Sequence, residues 1–169
     1  TVTTPCTPLP ANPNVVYTMG SITKSVAFPT VAASLLEVTT ITPTAATVNI
    51  FASQTYQVKV KQSANTYSNN VKLNITHSTN VGISTAVGVL TPGVVSGTTQ
   101  VDVLELSGSD IATLTGGNTK FELNETVTIP VQATLKGCTT GETIRFQAAY
   151  GCGATTACTT GNISNVGLN

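Results

Sequence analysis

The feature that most constrains this chain is a strict alternation of apolar and polar residues. In the clearest example every second residue of segment 127–135 is apolar: Val127, Ile129, Val131, Ala133 and Leu135. Successive side chains of a β-strand point to opposite faces, so this period of two predicts a strand with one buried face. The same pattern recurs in segments 56–60, 71–75 and 144–148. These segments predict antiparallel sheets.

Weaker strands are expected where β-branched residues recur between Gly- and Ser-rich loops, because such side chains favour strands over helices. The candidates are segments 15–19, 22–28, 35–41, 47–51 and 101–106. About nine to eleven strands in all exceed the seven of a minimal immunoglobulin-type domain. We therefore expect an all-β fold, an immunoglobulin-like or elaborated β-sandwich, as a single domain over residues 14–169. Pro130 lies within the longest strand and predicts an edge position or a bulge, since proline has no N–H to donate.

The first 13 residues contain four prolines and are expected to form an extended lead-in rather than a central strand. Segment 14–19, which follows, is our preferred candidate for a donor strand that pairs with the open sheet edge of another copy. Segment 163–168 is the second candidate. Such an addition would cover an exposed edge and link subunits in one step.

The surface chemistry of the chain is dominated by hydroxyl groups rather than by charge. Only 8% of the residues are charged and about one in five is threonine, whereas roughly 25% of an ordinary soluble domain is charged. This composition is typical of strand-rich proteins outside the cell, so we expect an extracellular, cell-surface location. A formal net charge of zero disfavours nucleic acid as a partner. No apolar run approaches the roughly 18 residues needed to span a bilayer, so membrane insertion is not expected.

Four cysteines, an even number, predict two disulfides in an exported chain. If segments 127–135 and 143–150 form a hairpin, Cys138 lies at its tip and Cys152 beyond its far end. At about 3.3 Å per residue these two would be some 30 Å apart, whereas a disulfide needs Cα atoms within roughly 7 Å. We therefore favour Cys152–Cys158, which closes a small loop, and Cys6–Cys138, which fastens the lead-in to the sheet. A metal site is disfavoured because no close Cys-x2-Cys pair is present.

The chain offers few candidate catalytic residues. His77 is the single histidine, and we interpret it as an exposed residue at the end of strand 71–76. A Ser-His-Asp arrangement would require a cleft that brings His77 against Asp102 or Asp110, and no nucleophile-elbow motif supports one. We therefore expect no enzymatic activity.

The remaining acidic residues point to no cofactor. Asp102, Glu105 and Asp110 are candidates for a Ca²⁺ site, because Ca²⁺ prefers clustered oxygen ligands, but they match no known loop motif. Glu122 and Glu125 flank a turn and are expected to face water rather than to form a glycosidase pair. We expect no metal and no cofactor.

Three Asn-x-Ser/Thr sequons predict glycosylation sites at Asn74, Asn124 and Asn162. The alternation of segment 71–75 places Asn74 on the outward face of its strand, and Asn124 falls in a loop. Glycans at these positions would supply the solubility that charge does not.

The closing third of the chain resembles the end of immunoglobulin-like repeats in large bacterial surface adhesins. The resemblance lies in Val127-Thr128-Ile129-Pro130-Val131, Gly137-Cys138, Ala149-Tyr150-Gly151-Cys152 and Ala157-Cys158. The composition is similar to that of glycosylated, donor-strand-linked filament subunits of archaea and bacteria. The first resemblance implies one module of a long exported chain, and the second implies a secreted subunit; both imply a role without catalysis.

We therefore expect a structural subunit of an extracellular filament or adhesive fibre, assembled by strand donation between copies. The alternative is one repeat of a large secreted adhesin. A carbohydrate-binding module is a distant third, because such modules stack sugars on aromatic side chains and this chain has no tryptophan and four tyrosines. The expected partners are copies of the same chain, with surface glycans or another cell as further candidates.

Overall fold

The computed structural model describes residues 14–27, 36–63, 67–68, 70–138, 141–151, 157–159 and 163–169. The chain divides into two compact units, Thr1–Ala33 and Ser34–Asn169. The division falls between residues 33 and 34, whereas the sequence led us to expect one domain starting at residue 14. The proline-rich lead-in, 1–13, lies outside the described residues.

The described part of the first unit is an antiparallel hairpin of β1 (Asn14–Met19) and β2 (Ile22–Ala27). Residues 20 and 21 form the turn, and Gly20 has a φ of 62°. Glycine adopts this left-handed conformation without strain, and a two-residue turn with glycine first is typical of type II′. The ladder runs from Met19–Ile22 to Asn14–Ala27 without a register shift. Both strands expected in this segment are present.

The second unit contains two sheets and one short helix among its described residues. Its elements are β3 (Leu36–Thr42), β4 (Ala45–Ala46), β5 (Ser53–Gln62), β6 (Val71–Ser78), β7 (Val81–Thr85), β8 (Val89–Thr91), β9 (Thr99–Leu106), α1 (Gly108–Thr115), β10 (Thr126–Leu135), β11 (Glu142–Gly151), β12 (Ala157–Thr159) and β13 (Ser164–Leu168). The smaller sheet has the order β3-β5-β10-β7. The larger sheet has the order β4-β13-β11-β6-β9-β8, with β12 beside β11. The expected all-β sandwich is confirmed.

The core lies between the two sheets and consists of the apolar residues of each alternating strand. Tyr56, Val58 and Val60 of β5 are fully buried. The larger sheet contributes Leu73 and Phe146, which are at most 1% exposed. Burying a large apolar side chain stabilises the fold by about 1.5–3 kcal/mol, so these strands supply most of the driving force for folding.

The position of Pro130 follows from the pairing of β10. The strand pairs with β5 along most of its length, but with β7 only from Val131 to Leu135. The Thr85 hydroxyl at the end of β7 donates to the Pro130 carbonyl at 3.2 Å. The nitrogen of a strand residue points to the same side as its carbonyl, so the missing N–H falls where β7 has already ended. The expected edge position is wrong for β10 as a whole, because the strand lies between β5 and β7; Pro130 is accommodated because it lies just beyond the end of β7.

Two expectations from the sequence are wrong. Segment 47–51 is not a strand: the Val48 N–H bonds to the Asn169 carbonyl, and the chain then turns through Phe51, whose φ is 64°. This segment carries the chain from β4 in the larger sheet to β5 in the smaller one. In addition, β10 and β11 do not form a hairpin, because they lie in different sheets.

Helix α1 follows β9 and was not among the elements expected from the sequence. Ser107 is its N-cap: the Ser107 hydroxyl accepts from the Asp110 N–H, and the Asp110 carboxylate accepts from the Ser107 N–H. Gly116 ends the helix in a left-handed conformation. Reciprocal capping of this kind stabilises a helix that is too short to form alone. Ile111 is its buried anchor in the sandwich.

Candidate functional site

His77 is buried, with only 4% of its surface exposed, which contradicts the expected exposed position. Strand β6 extends to Ser78, so residue 77 lies within the ladder rather than after it. The alternation of the strand then places His77 on the inward face shared by Leu73 and Ile75. The prediction of an exposed His77 was wrong because β6 is longer than expected, whereas the alternation of its two faces was predicted correctly.

His77 contacts one of the two aspartates considered from the sequence. Its Nε2 lies 3.1 Å from Oδ2 of Asp102, and its Nδ1 lies 2.8 Å from the Ser78 carbonyl oxygen. Asp102 is 3% exposed, and its Oδ1 accepts from the Gln100 amide at 2.7 Å and from the Gly93 N–H at 3.1 Å. Every polar side-chain atom of His77 and Asp102 therefore has a hydrogen-bond partner.

This geometry does not suit general-base catalysis. The Ser78 carbonyl can only accept, so Nδ1 must donate to it. Nε2 lies against the Asp102 carboxylate, whose other oxygen already accepts from two N–H groups. Neither nitrogen is free to take a proton from a substrate. The hydroxyl of Ser84, in the neighbouring pocket, donates to Gln132 at 3.1 Å.

The His77–Asp102 pair also fixes the loop that joins β8 to β9. A pocket of about 350 Å³ lies beside the pair and is lined in part by residues 81–84 of β7. Gly93 of the loop bonds to Asp102, and a Cβ at this position would lie 1.8 Å from the Val101 carbonyl oxygen. Only glycine fits so close to β9. The pair is therefore a structural brace for this loop.

The other acidic residues do not converge on one site. Asp102 faces the core, Glu105 lies on the outer face of the same strand beside Lys72, and Asp110 caps α1. Glu122 is exposed, and its N–H donates to the Glu125 carboxylate across a turn. Within the described residues, no group of three or more His, Cys, Asp or Glu side chains could hold a metal ion.

The cysteine pairings remain predictions. Cys138 is exposed after β10, and its thiol is free in the structure. Cys6 and Cys152 lie outside the described residues. Strand β12 carries Cys158 and pairs with the end of β11, where Gly151 lies opposite Ala157. Cys158 therefore lies on a strand beside the end of β11, and the pairing Cys152–Cys158 stays a prediction.

The sequons occupy different environments. Asn74 lies on the outer face of β6 and is half-buried, and its Oδ1 is buried without a hydrogen-bond partner. Asn124 is exposed in a turn with a φ of 66°. Asn162 lies outside the described residues. Asn124 is the more accessible of the two described sequons, and glycosylation at all three remains a prediction.

The β1–β2 hairpin has one apolar face. Residues directly opposite each other in the ladder share a face, so Tyr17, Met19, Ile22, Lys24 and Val26 lie together. We call these five residues the hairpin face. The four apolar members are 55–76% exposed. The opposite face carries Val16 and polar residues, including Thr18 and Thr23, whose hydroxyls are 3.4 Å apart.

A second group of exposed apolar side chains lies at the β8 end of the larger sheet. Its members, which we call the valine patch, are Val89, Val94, Val95 and Val101, with exposures of 68%, 91%, 50% and 40%. Val89 is on edge strand β8, Val101 is on β9, and the other two are on the loop that Asp102 holds. Exposed apolar residues grouped in one region of the surface are typical of interaction sites. The donor candidate 163–168 is excluded from such a role in this structure, because β13 lies between β11 and β4 of its own chain.

Comparisons with known proteins give likenesses of structure only. No protein-family model matches the chain, and no curated protein matches it. Among solved structures, AvmM, described as catalysing macrocyclization in alchivemycin A biosynthesis, has a TM-score of 0.53 at 11% identity, over 80% of this chain and 87% of that one. This likeness supports the sandwich fold. At 11% identity it shows the fold alone.

Two weaker likenesses are to a cohesin and to a pilin fragment. A non-cellulosomal cohesin from the hyperthermophilic archaeon Archaeoglobus fulgidus has a TM-score of 0.43 at 7% identity, over 82% of this chain and 92% of that one. A 35 kDa C-terminal fragment of the major pilin GBS80 of Streptococcus agalactiae has a TM-score of 0.40 at 13% identity, over 80% of this chain and 55% of that one.

No helix in the described part of this chain is long and apolar enough to cross a membrane.

Proposed function

We propose that this chain is a structural subunit of an extracellular, cell-surface filament or adhesive fibre. In this proposal, the β1–β2 hairpin of one copy adds to an open sheet edge of another copy. The observation that carries the proposal is the exposed apolar face of a hairpin that belongs to a compact unit of its own. A two-stranded hairpin is marginally stable in water by itself, so this one gains stability from a partner surface.

The two ends of each sheet provide places for such an addition. Among the described strands, β3 and β7 end the smaller sheet, and β4 and β8 end the larger one. An exposed edge presents unpaired N–H and C=O groups that another strand can satisfy. Because the hairpin and the edge are different surfaces of the same chain, repeated addition is head-to-tail. A head-to-tail contact that does not close into a ring produces a filament.

The composition and the His77 geometry support the remaining parts of the proposal. A surface rich in threonine and poor in charge, with three sequons, suits a glycosylated protein outside the cell. The proposal is also that the chain is not an enzyme. In its support, both nitrogens of His77 are already hydrogen-bonded, to Asp102 and to the Ser78 carbonyl.

The test is sedimentation velocity of the full chain over a range of concentrations, with two matched variants. Tyr17 and Val16 are both 58% exposed but lie on opposite faces of the hairpin. Tyr17→Asp should weaken assembly by about tenfold or more, because burial of an aromatic side chain contributes roughly 1.5–3 kcal/mol. Val16→Asp should change it far less.

Two outcomes would contradict the proposal. A wild-type chain that stays monomeric at every concentration would favour the alternative, a single repeat of a large adhesin. Equal effects of Tyr17→Asp and Val16→Asp would show that the hairpin face is not the contact.

A further inference from the structure

We propose that the surface receiving the hairpin is the β8 edge of a second copy together with its valine patch. This inference rests on the proposed assembly through the hairpin and names its acceptor. It commits to one of the four sheet ends and to one partner, another copy of this chain.

The β8 edge is favoured over the other three sheet ends by its exposed side chains. Strand β4 has only two residues, and the pairing of β3 shifts register between Val38 and Thr40. A bulge disturbs the backbone ladder that an added strand needs. Strand β7 has Gly82 and the exposed Ser84 on its outward face, so it offers no apolar contact there. Strand β8 alone among these edges lies next to several exposed valines.

The charges of the two surfaces are complementary. Lys24 lies within the hairpin face, directly opposite Tyr17 in the ladder. Glu105 lies directly opposite Val89 on the outer face of the larger sheet. Its side chain is 44% exposed, although one oxygen lies 3.6 Å from Lys72 Nζ and the other accepts from the Asn70 amide. A positive charge on one surface and a negative charge on the other attract the two copies and fix the register in which their apolar residues meet.

The acceptor is already ordered before any partner arrives. Asp102 holds the Gly93 N–H, and Gly93 packs against the backbone of Val101. The loop residues Val94 and Val95 are therefore presented on a fixed segment. A preorganised surface loses less conformational entropy on binding than a loose loop would. The buried His77–Asp102 pair thus acts as a positioning element for the interface.

The experiment uses two full-length variants that each remove one half of the contact. Met19→Asp disables the hairpin face, and Val89→Lys disables the acceptor. The new lysine lies opposite Glu105, so β8 keeps a favourable cross-strand pair, while the same charge repels Lys24 of the incoming hairpin. Leu123→Lys is the control, because Leu123 is 44% exposed in a turn that bonds to β5 of the smaller sheet.

We expect Met19→Asp and Val89→Lys each to raise the concentration for half-assembly by about tenfold or more, and Leu123→Lys to leave it unchanged. An equimolar mixture of Met19→Asp and Val89→Lys should form a one-to-one heterodimer and no longer polymer, because only one intact contact is possible between them. Carbodiimide treatment of wild-type assemblies should join Lys24 to Glu105 between copies.

Each contrary result has a distinct meaning. If Val89→Lys assembles like the wild type while Met19→Asp does not, the acceptor is elsewhere and only this inference fails. If the mixture forms no heterodimer, the two surfaces do not meet and the inference fails. If the wild type does not assemble at all, the proposed function fails and this inference fails with it.

Discussion

Removal of the Asp102 carboxylate tests the structural role assigned to the buried His77 pair. Asp102→Ala leaves three donors without their acceptor: the His77 ring, the Gln100 amide and the Gly93 N–H. Leaving a buried donor without its acceptor costs about 1–3 kcal/mol for each group, so the loss of one acceptor shared by three donors should cost roughly 3 kcal/mol or more. This is a large fraction of the 5–15 kcal/mol that stabilises a typical domain.

Asp102→Asn provides a sharper comparison, because the amide can keep the whole network. Its oxygen can accept from Gly93 and Gln100, and its nitrogen can donate to Nε2 of a neutral His77 that still donates from Nδ1 to the Ser78 carbonyl. We therefore expect a cost of about 1 kcal/mol, the value of an ordinary hydrogen bond. Lys59→Ala, on an exposed position of β5, should stay within about 0.5 kcal/mol of the wild type.

Urea unfolding monitored by tyrosine fluorescence measures these differences, since the chain has no tryptophan. The midpoints should shift in the order wild type, Asp102→Asn, Asp102→Ala, with an unchanged slope. An Asp102→Ala variant within about 1 kcal/mol of the wild type would refute the view that the pair is a buried brace. An Asp102→Asn variant as unstable as Asp102→Ala would refute the hydrogen-bond assignment.

Three further predictions concern the cap, a buried phenol and the core. Ser107→Ala should destabilise the fold by about 0.5–2 kcal/mol in urea unfolding. The Ser107 hydroxyl and N–H hold the pKa of Asp110 below its usual range. The stability that ionised Asp110 gives the wild type should therefore be lost as the pH falls through the lowered pKa. Ser107→Ala should show a smaller loss of stability over the same pH range. Burial raises the pKa of Tyr56, whose hydroxyl donates to the Gly167 carbonyl at 2.7 Å. The stability that this group contributes should therefore be lost as the pH rises through the raised pKa. Absorbance titration should show Tyr56 ionising only as the chain unfolds. Leu104→Ala should cost about 2–5 kcal/mol, whereas Leu123→Ala at an exposed position should cost less than about 0.5 kcal/mol by the same unfolding measurement.

The strands with strict alternation were predictable because their pattern is local. The burial of β5 and β10 follows from period two alone, and both strands appear where expected. The partners of the strands were not predictable in the same way. Strands β10 and β11 are adjacent in sequence but lie in different sheets, because the sheet in which a strand pairs is decided by long-range packing.

The elements that were missed are short or irregular. Strand β7 contains Gly82, which breaks the alternation, and β8 has only three residues. Helix α1 had a readable signal in Ser107, Asp110 and Gly116, which are a capping box and a C-terminal glycine.

The His77 environment depended on where β6 ends. Two further residues of strand turned an apparent strand end into a core position. Its contact with Asp102 is a diagonal contact between neighbouring strands, since Asp102 pairs directly with Ile75. Such a contact requires the register of β6 and β9, which no local pattern in either strand contains.

The most direct test of the central claim is negative-stain electron microscopy of the full-length protein as it is isolated. The proposed assembly predicts regular filaments with a subunit repeat on the order of 4 nm, the diameter of a compact unit of this length. Single compact particles at every concentration examined would contradict it.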